Sequence, residues 1–69
     1  MQRKQVKSSN IVSIGYDETK KVLEIEFNNG VYQYIKVPVE IFKGLMSAES
    51  HGKYFYLNIK GKYEFARFV

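Results

Sequence analysis

Two runs of alternating apolar and polar residues meet at Asn28-Asn29-Gly30. Before it, Leu23, Ile25 and Phe27 alternate with Glu24 and Glu26. After it, Val31 to Val37 carries Tyr32 and Tyr34 on either side of Gln33. Asn and Gly both tolerate positive φ, so Asn-Gly between alternating segments marks a tight antiparallel hairpin. Turn length then decides which way the tyrosines face. A two-residue Asn29-Gly30 turn pairs Phe27 with Tyr32 and Ile25 with Tyr34, and both tyrosines cover the core. A three-residue turn with a glycine bulge pairs Glu26 with Tyr32 and Glu24 with Tyr34, and both face outward as a stacking platform. A one-residue slip flips every side chain. The two-residue turn is preferred because it also points Gln33 to solvent.

The flanks extend this hairpin. From Ile11, the positions Val12, Ile14 and Tyr16 alternate with Ser13 and Gly15, which reads as a first strand. Asp17-Glu18-Thr19-Lys20 reads as the turn into the second, with Asp favoured at its opening. Pro38 ends the third strand and suits the first turn of a helix. Pro38 to Glu49 places Ile41, Phe42, Leu45 and Met46 on one stripe at helical spacing. Lys53 to Lys60 is open: Phe55, Leu57 and Ile59 alternate as in a strand, while Phe55 and Ile59 also fit a helix capped by Ser50. Residues 63–68 read as a short extended tail. Residues 1–7 read as a basic, flexible arm before a single domain over 8–69. The expected fold is α+β, a three-stranded antiparallel meander packed against one or two C-terminal helices.

A chain of 69 residues buries only about 60% of its unfolded surface, which leaves little for a deep enclosed cleft. It has no cysteine, so it holds neither a disulfide nor a thiolate metal site. No apolar run approaches the ~20 residues of a membrane span, and Met1 to Lys7 lacks the apolar segment of a signal peptide. A cytoplasmic protein is the expectation. The formal net charge is +4 and sits at the ends. Arg3, Lys4 and Lys7 open the chain, and Lys53, Lys60, Lys62 and Arg67 close it. If both ends share one side of the fold, they form a patch for polyanions.

Several short stretches stand in a telling order: Ser8-Ser9-Asn10-Ile11, Ile14-Gly15-Tyr16-Asp17, Leu23-Glu24-Ile25-Glu26-Phe27, Gly30, Tyr32-Gln33-Tyr34 and Val37-Pro38. Leu45, Ser50, Gly52, Tyr54-Phe55, Ile59 and Tyr63 follow in register. Over residues 6–65 the chain resembles the KTSC domain, named for the C-terminus of certain lysyl-tRNA synthetases. Tyr32-Gln33-Tyr34 matches that family's hallmark. The resemblance implies a domain found alone in bacterial and phage proteins or appended to the synthetase. It implies a hairpin sheet followed by helices, which favours helix for 51–60. It also implies RNA binding, a role suggested by attachment to a tRNA enzyme. Tyr56 departs from the family, which often has Asn there. Lys60 stands where Arg is frequent, and a lysine gives a less specific phosphate contact.

Catalysis finds little support in these residues. The single histidine, His51, reads as a turn residue beside Gly52, and a histidine base needs a nucleophile and an orienting acid nearby. Glu24 and Glu26 read as a solvated strand face. There is no phosphate-binding glycine loop and no metal-ligating cluster, so neither a cofactor nor a catalytic site is expected. Binding is better supported. Cations neutralise phosphates and aromatic faces stack on unpaired bases. Lys53, Tyr54, Lys60, Lys62, Tyr63 and Arg67 interleave the two types and are the candidate contacts for RNA or another polyanion. Tyr32 and Tyr34 are core or platform according to the turn. The other class is a protein-interaction or accessory domain, self-associating through a sheet edge or exposed aromatics.

Overall fold

The computed structural model describes residues 1–68. Five strands and two helices run in the order β1 (Arg3–Gln5), β2 (Ile11–Asp17), β3 (Val22–Phe27), β4 (Gly30–Tyr34), α1 (Val39–Ser47), α2 (His51–Asn58) and β5 (Phe65–Arg67). The strands form one antiparallel sheet in the order β1-β2-β3-β4-β5. The α+β class is as expected, but the sheet has two more strands than the three read from the sequence. Both additions are three-residue edge strands.

The turns follow local chemistry. Asp17 Oδ1 accepts from the amides of Thr19 at 3.0 Å and Lys20 at 3.1 Å, which closes the β2–β3 connection. The β3–β4 turn consists of Asn28-Asn29, with Phe27 opposite Gly30, Ile25 opposite Tyr32 and Leu23 opposite Tyr34. Gly30 itself takes the positive φ of 152°, so the turn lies one residue earlier than Asn29-Gly30 and the pairing moves by two. Side chains alternate with a period of two, so this shift leaves the tyrosines on the core face, as the two-residue turn requires.

Residues 1–7, read as a flexible arm, contain β1. It pairs with β2, with Arg3 opposite Gly15 and Lys4 opposite Ile14. Gly15 permits this approach, because a Cβ there would stand 2.7 Å from the Gln2 carbonyl oxygen. Arg3 reaches across the outer face to Glu24 at 2.8 Å. Gln33 Nε2 donates to the same carboxylate at 2.7 Å and Ser13 Oγ to Glu26 at 2.8 Å. Glu24 and Glu26 are therefore half-buried members of a polar network rather than a freely solvated pair.

The helices cover the other face. Pro38 caps α1 and its carbonyl accepts from Ile41 at 3.0 Å. Ser50 caps α2 by accepting from Lys53 N, which fixes residues 51–58 as helix. Ile11, Ile14, Leu23, Ile25, Tyr34, Val37, Leu45 and Ile59 form the buried core. A fully buried Leu or Ile of this kind stabilises by about 1.5–3 kcal/mol. Tyr16 stacks on Phe42 at 4.8 Å and joins β2 to α1. No helix among the described residues is long and apolar enough to cross a membrane.

Candidate functional site

All three residues of β5 are exposed. Phe55 of α2 packs against Phe27 at 5.0 Å and Tyr34 at 5.5 Å, between ring centroids. The chain then leaves the helix through Gly61, whose φ of +78° has open space around it. It returns to pair β5 with β4, placing Phe65 opposite Tyr34 and Arg67 opposite Tyr32. Directly opposed residues share a face, so Phe65 and Arg67 lie on the helix side, and both are exposed there. The result is an open cleft of about 300 Å³ lined by Phe27, Tyr32, Tyr34, Phe55 and Phe65, with Asn29, Lys60 and Gly61 at its rim.

The rings form a continuous aromatic wall. Tyr32 meets Phe27 edge-on at 5.5 Å and Phe65 at 5.8 Å, and Tyr34 meets Phe65 at 5.4 Å. Tyr34 is 5% exposed, and its phenol is pushed up to about 12, first by burial and then by Tyr32. Arg67 lies 5.8 Å over the Tyr32 ring and donates to the Asn29 carbonyl. The tyrosines thus point inward, as the preferred turn requires, yet the cleft leaves them within reach of a ligand.

The sequence-predicted residues do not form one surface. Lys60 borders the cleft and Arg67 stands beside it. Lys62 and Tyr63 line a shallow depression with Ile35 and Lys36. Lys53 lies at the opposite end of α2, in a polar hollow with Lys7, Ser8 and Asn10. Tyr54 packs towards α1, with its ring against Gly44. The basic termini converge only in part. β1 and β5 are the two outer strands, about 19 Å apart at the usual strand spacing. In an uncrossed meander the first and last strands necessarily occupy opposite edges. Arg3 and Lys4 therefore stand at the edge opposite Arg67, while Lys7 and Lys53 share one hollow.

Sequence reasoning missed Phe27, Phe55 and Phe65 as cleft residues. Phe65 carried the only signal, its alternation with Glu64 and Ala66, but nothing local says that this tail docks on β4. His51 begins α2 rather than lying in a turn, with Nδ1 2.7 Å from the Leu45 carbonyl oxygen. No group of three His, Cys, Asp or Glu residues suited to a metal occurs among the described residues.

Comparison with known proteins accounts for this arrangement. An uncharacterised protein of Stutzerimonas stutzeri is 41% identical over 80% of this chain and 79% of its own length. A lysine–tRNA ligase of Trichormus variabilis is 43% identical over 72% of this chain, which matches only 9% of that enzyme. A crystal structure of a KTSC domain protein from Yersinia pestis superposes with a TM-score of 0.97 at 45% identity, covering 99% of this chain and 97% of that one. The sequence profile of the KTSC domain matches residues 7–63, and the chain belongs to the KTSC domain family.

Proposed function

We propose that the chain is a non-enzymatic binding module that takes an unpaired nucleobase, of RNA foremost, into the aromatic cleft between α2 and the β4–β5 edge. The observation that carries this reading is the cleft itself: five aromatic side chains line one opening, with Phe65 the most exposed of them and a lysine beside it. Such walls bind bases by stacking, which contributes about 1–3 kcal/mol per base regardless of sequence. Lys60 meets the adjoining phosphate. Arg67 offers a guanidinium plane on which a base also stacks. Related sequence within lysine–tRNA ligases supports RNA as the ligand class, by analogy. A cytoplasmic location goes with this reading.

Equilibrium titration of tyrosine fluorescence with tRNA and with single-stranded RNA at low salt tests it. Phe65→Ala is the informative variant, because Phe65 is 58% exposed and its truncation spares the core. Binding by the parent protein, weakened at least about tenfold by Phe65→Ala, supports the reading. Folded protein that binds neither RNA removes it.

A further inference from the structure

The face of α2 turned to solvent carries an unusual set of side chains. Tyr56 is 64% exposed and Leu57 56% exposed, while Lys53 and Lys60 are exposed on either side of them. Positions 53, 56 and 57 follow the i, i+3, i+4 spacing and share one stripe of α2, and Lys60 follows two residues past the end of the helix. The stripe that normally seats a helix on its core is here directed outward, while Phe55 alone of the aromatic residues in the second half of α2 is packed inward. Lys60 Nζ lies 5.2 Å from the Tyr56 ring centroid, so aromatic and cationic groups meet at the C-terminal end of the stripe. That end is also the rim of the cleft, which Lys60 borders.

We infer that this stripe continues the nucleobase cleft and holds a tract of about three unpaired nucleotides along α2, with Tyr56 as a second stacking platform. The inference rests on the cleft binding a base. Its length follows from geometry. Lys53 precedes Tyr56 by three residues, about 4.5 Å along α2, Lys60 Nζ lies 5.2 Å from the Tyr56 ring centroid, and a stacked strand carries a phosphate about every 3.4 Å. Two lysines so placed about one ring meet phosphates about three nucleotides apart, and the ring between them stacks on an intervening base. Charge complementarity selects this occupant: a purely apolar partner helix leaves both ammonium groups unmatched.

The experiment is a length series of oligouridylates, from one to six nucleotides, titrated into the parent protein, Tyr56→Ala, Lys53→Ala and Phe65→Ala, with thermal unfolding confirming that each is folded. Affinity should rise at least about tenfold from the mononucleotide to about four nucleotides and then level off. Tyr56→Ala should remove most of that gain and leave mononucleotide binding unchanged, and Lys53→Ala should remove part of it. A gain that persists in Tyr56→Ala overturns the tract, as does mononucleotide binding that never improves with length. In both cases the cleft stands, provided Phe65→Ala weakens mononucleotide binding at least about tenfold. Absence of binding at every length overturns the cleft and the tract together. A concentration-dependent dimer abolished by Tyr56→Ala assigns the stripe to a second copy and overturns the inference.

Discussion

Gly44 of α1 lies directly against the ring of Tyr54 on α2. A Cβ added at Gly44 would meet Tyr54 Cζ at 2.7 Å and Cε2 at 2.9 Å. By helix propensity alone, Gly44→Ala stabilises a helix by up to about 1 kcal/mol. Here contact overrides propensity, and overpacking of this kind costs about 1–3 kcal/mol. Gly44→Ala should therefore lower the thermal midpoint, whereas the same change in a Tyr54→Ala background should raise stability. Unfolding curves of the four proteins check the reversal of sign.

Alkaline pH should loosen the fold. The Tyr34 phenol is raised from 10.0 to about 12, chiefly by burial, and Tyr16 is also raised, first by burial and then by Glu18, Glu40 and Asp17. The native state holds these protons more tightly than the unfolded chain does. The contribution of Tyr34 is full below pH 10, falls as pH rises through the window between about 10 and 12, and is gone above it. For Tyr34 the loss is about 1–2 kcal/mol, reduced from the full two-unit equivalent because its ring borders an open cleft. Stability measured against pH should flatten over this window in Tyr34→Phe.

The N-terminal strand depends on a hydrogen at Gly15. Gly15→Ala places a methyl on Gln2 and on Arg3 Cγ, and so should lift β1 and break the Arg3–Glu24 pair. The expected cost is about 1–2 kcal/mol. Hydrogen exchange should accelerate at β1 while β3 and β4 stay protected. Unchanged protection at β1 contradicts this.

Much of this molecule was legible because local chemistry decided it. Asp17 set a turn, and the alternation about Gln33 set the facing of Tyr32 and Tyr34; residues 53–60 stayed open to local pattern, and only the family resemblance favoured a helix there. The edge pairings were not legible, although residues 63–68 read as extended. Arg3-Lys4-Gln5 has no apolar alternation and is held by main-chain pairing that any sequence can supply. The cleft was hidden for a related reason: Phe55 and Phe65 share it only because β5 docks on β4, which no local signal announces. Charge at the two ends was a partial guide, since topology sets Arg3 and Arg67 on opposite edges yet brings Lys7 to Lys53.

Salt dependence separates a local site from a diffuse one. The logarithm of affinity for single strands falls with the logarithm of salt at about −0.7 per phosphate neutralised. Lys53, Lys60 and Arg67 acting on a tract give a slope of about −2. All 11 lysines and arginines acting as a diffuse patch would give about −8. Replacing Lys60 should reduce the slope by about 0.7, and replacing Lys20 should leave it unchanged.

The most direct test is a residue-by-residue map of amide chemical shifts during titration with single-stranded RNA. The cleft reading expects changes that saturate together at Asn29, Tyr32, Lys60, Gly61 and Phe65, with β1 and the Arg3–Glu24 face silent. Saturating shifts confined to β1 and the outer face, or none at all in folded protein at low salt, would contradict it.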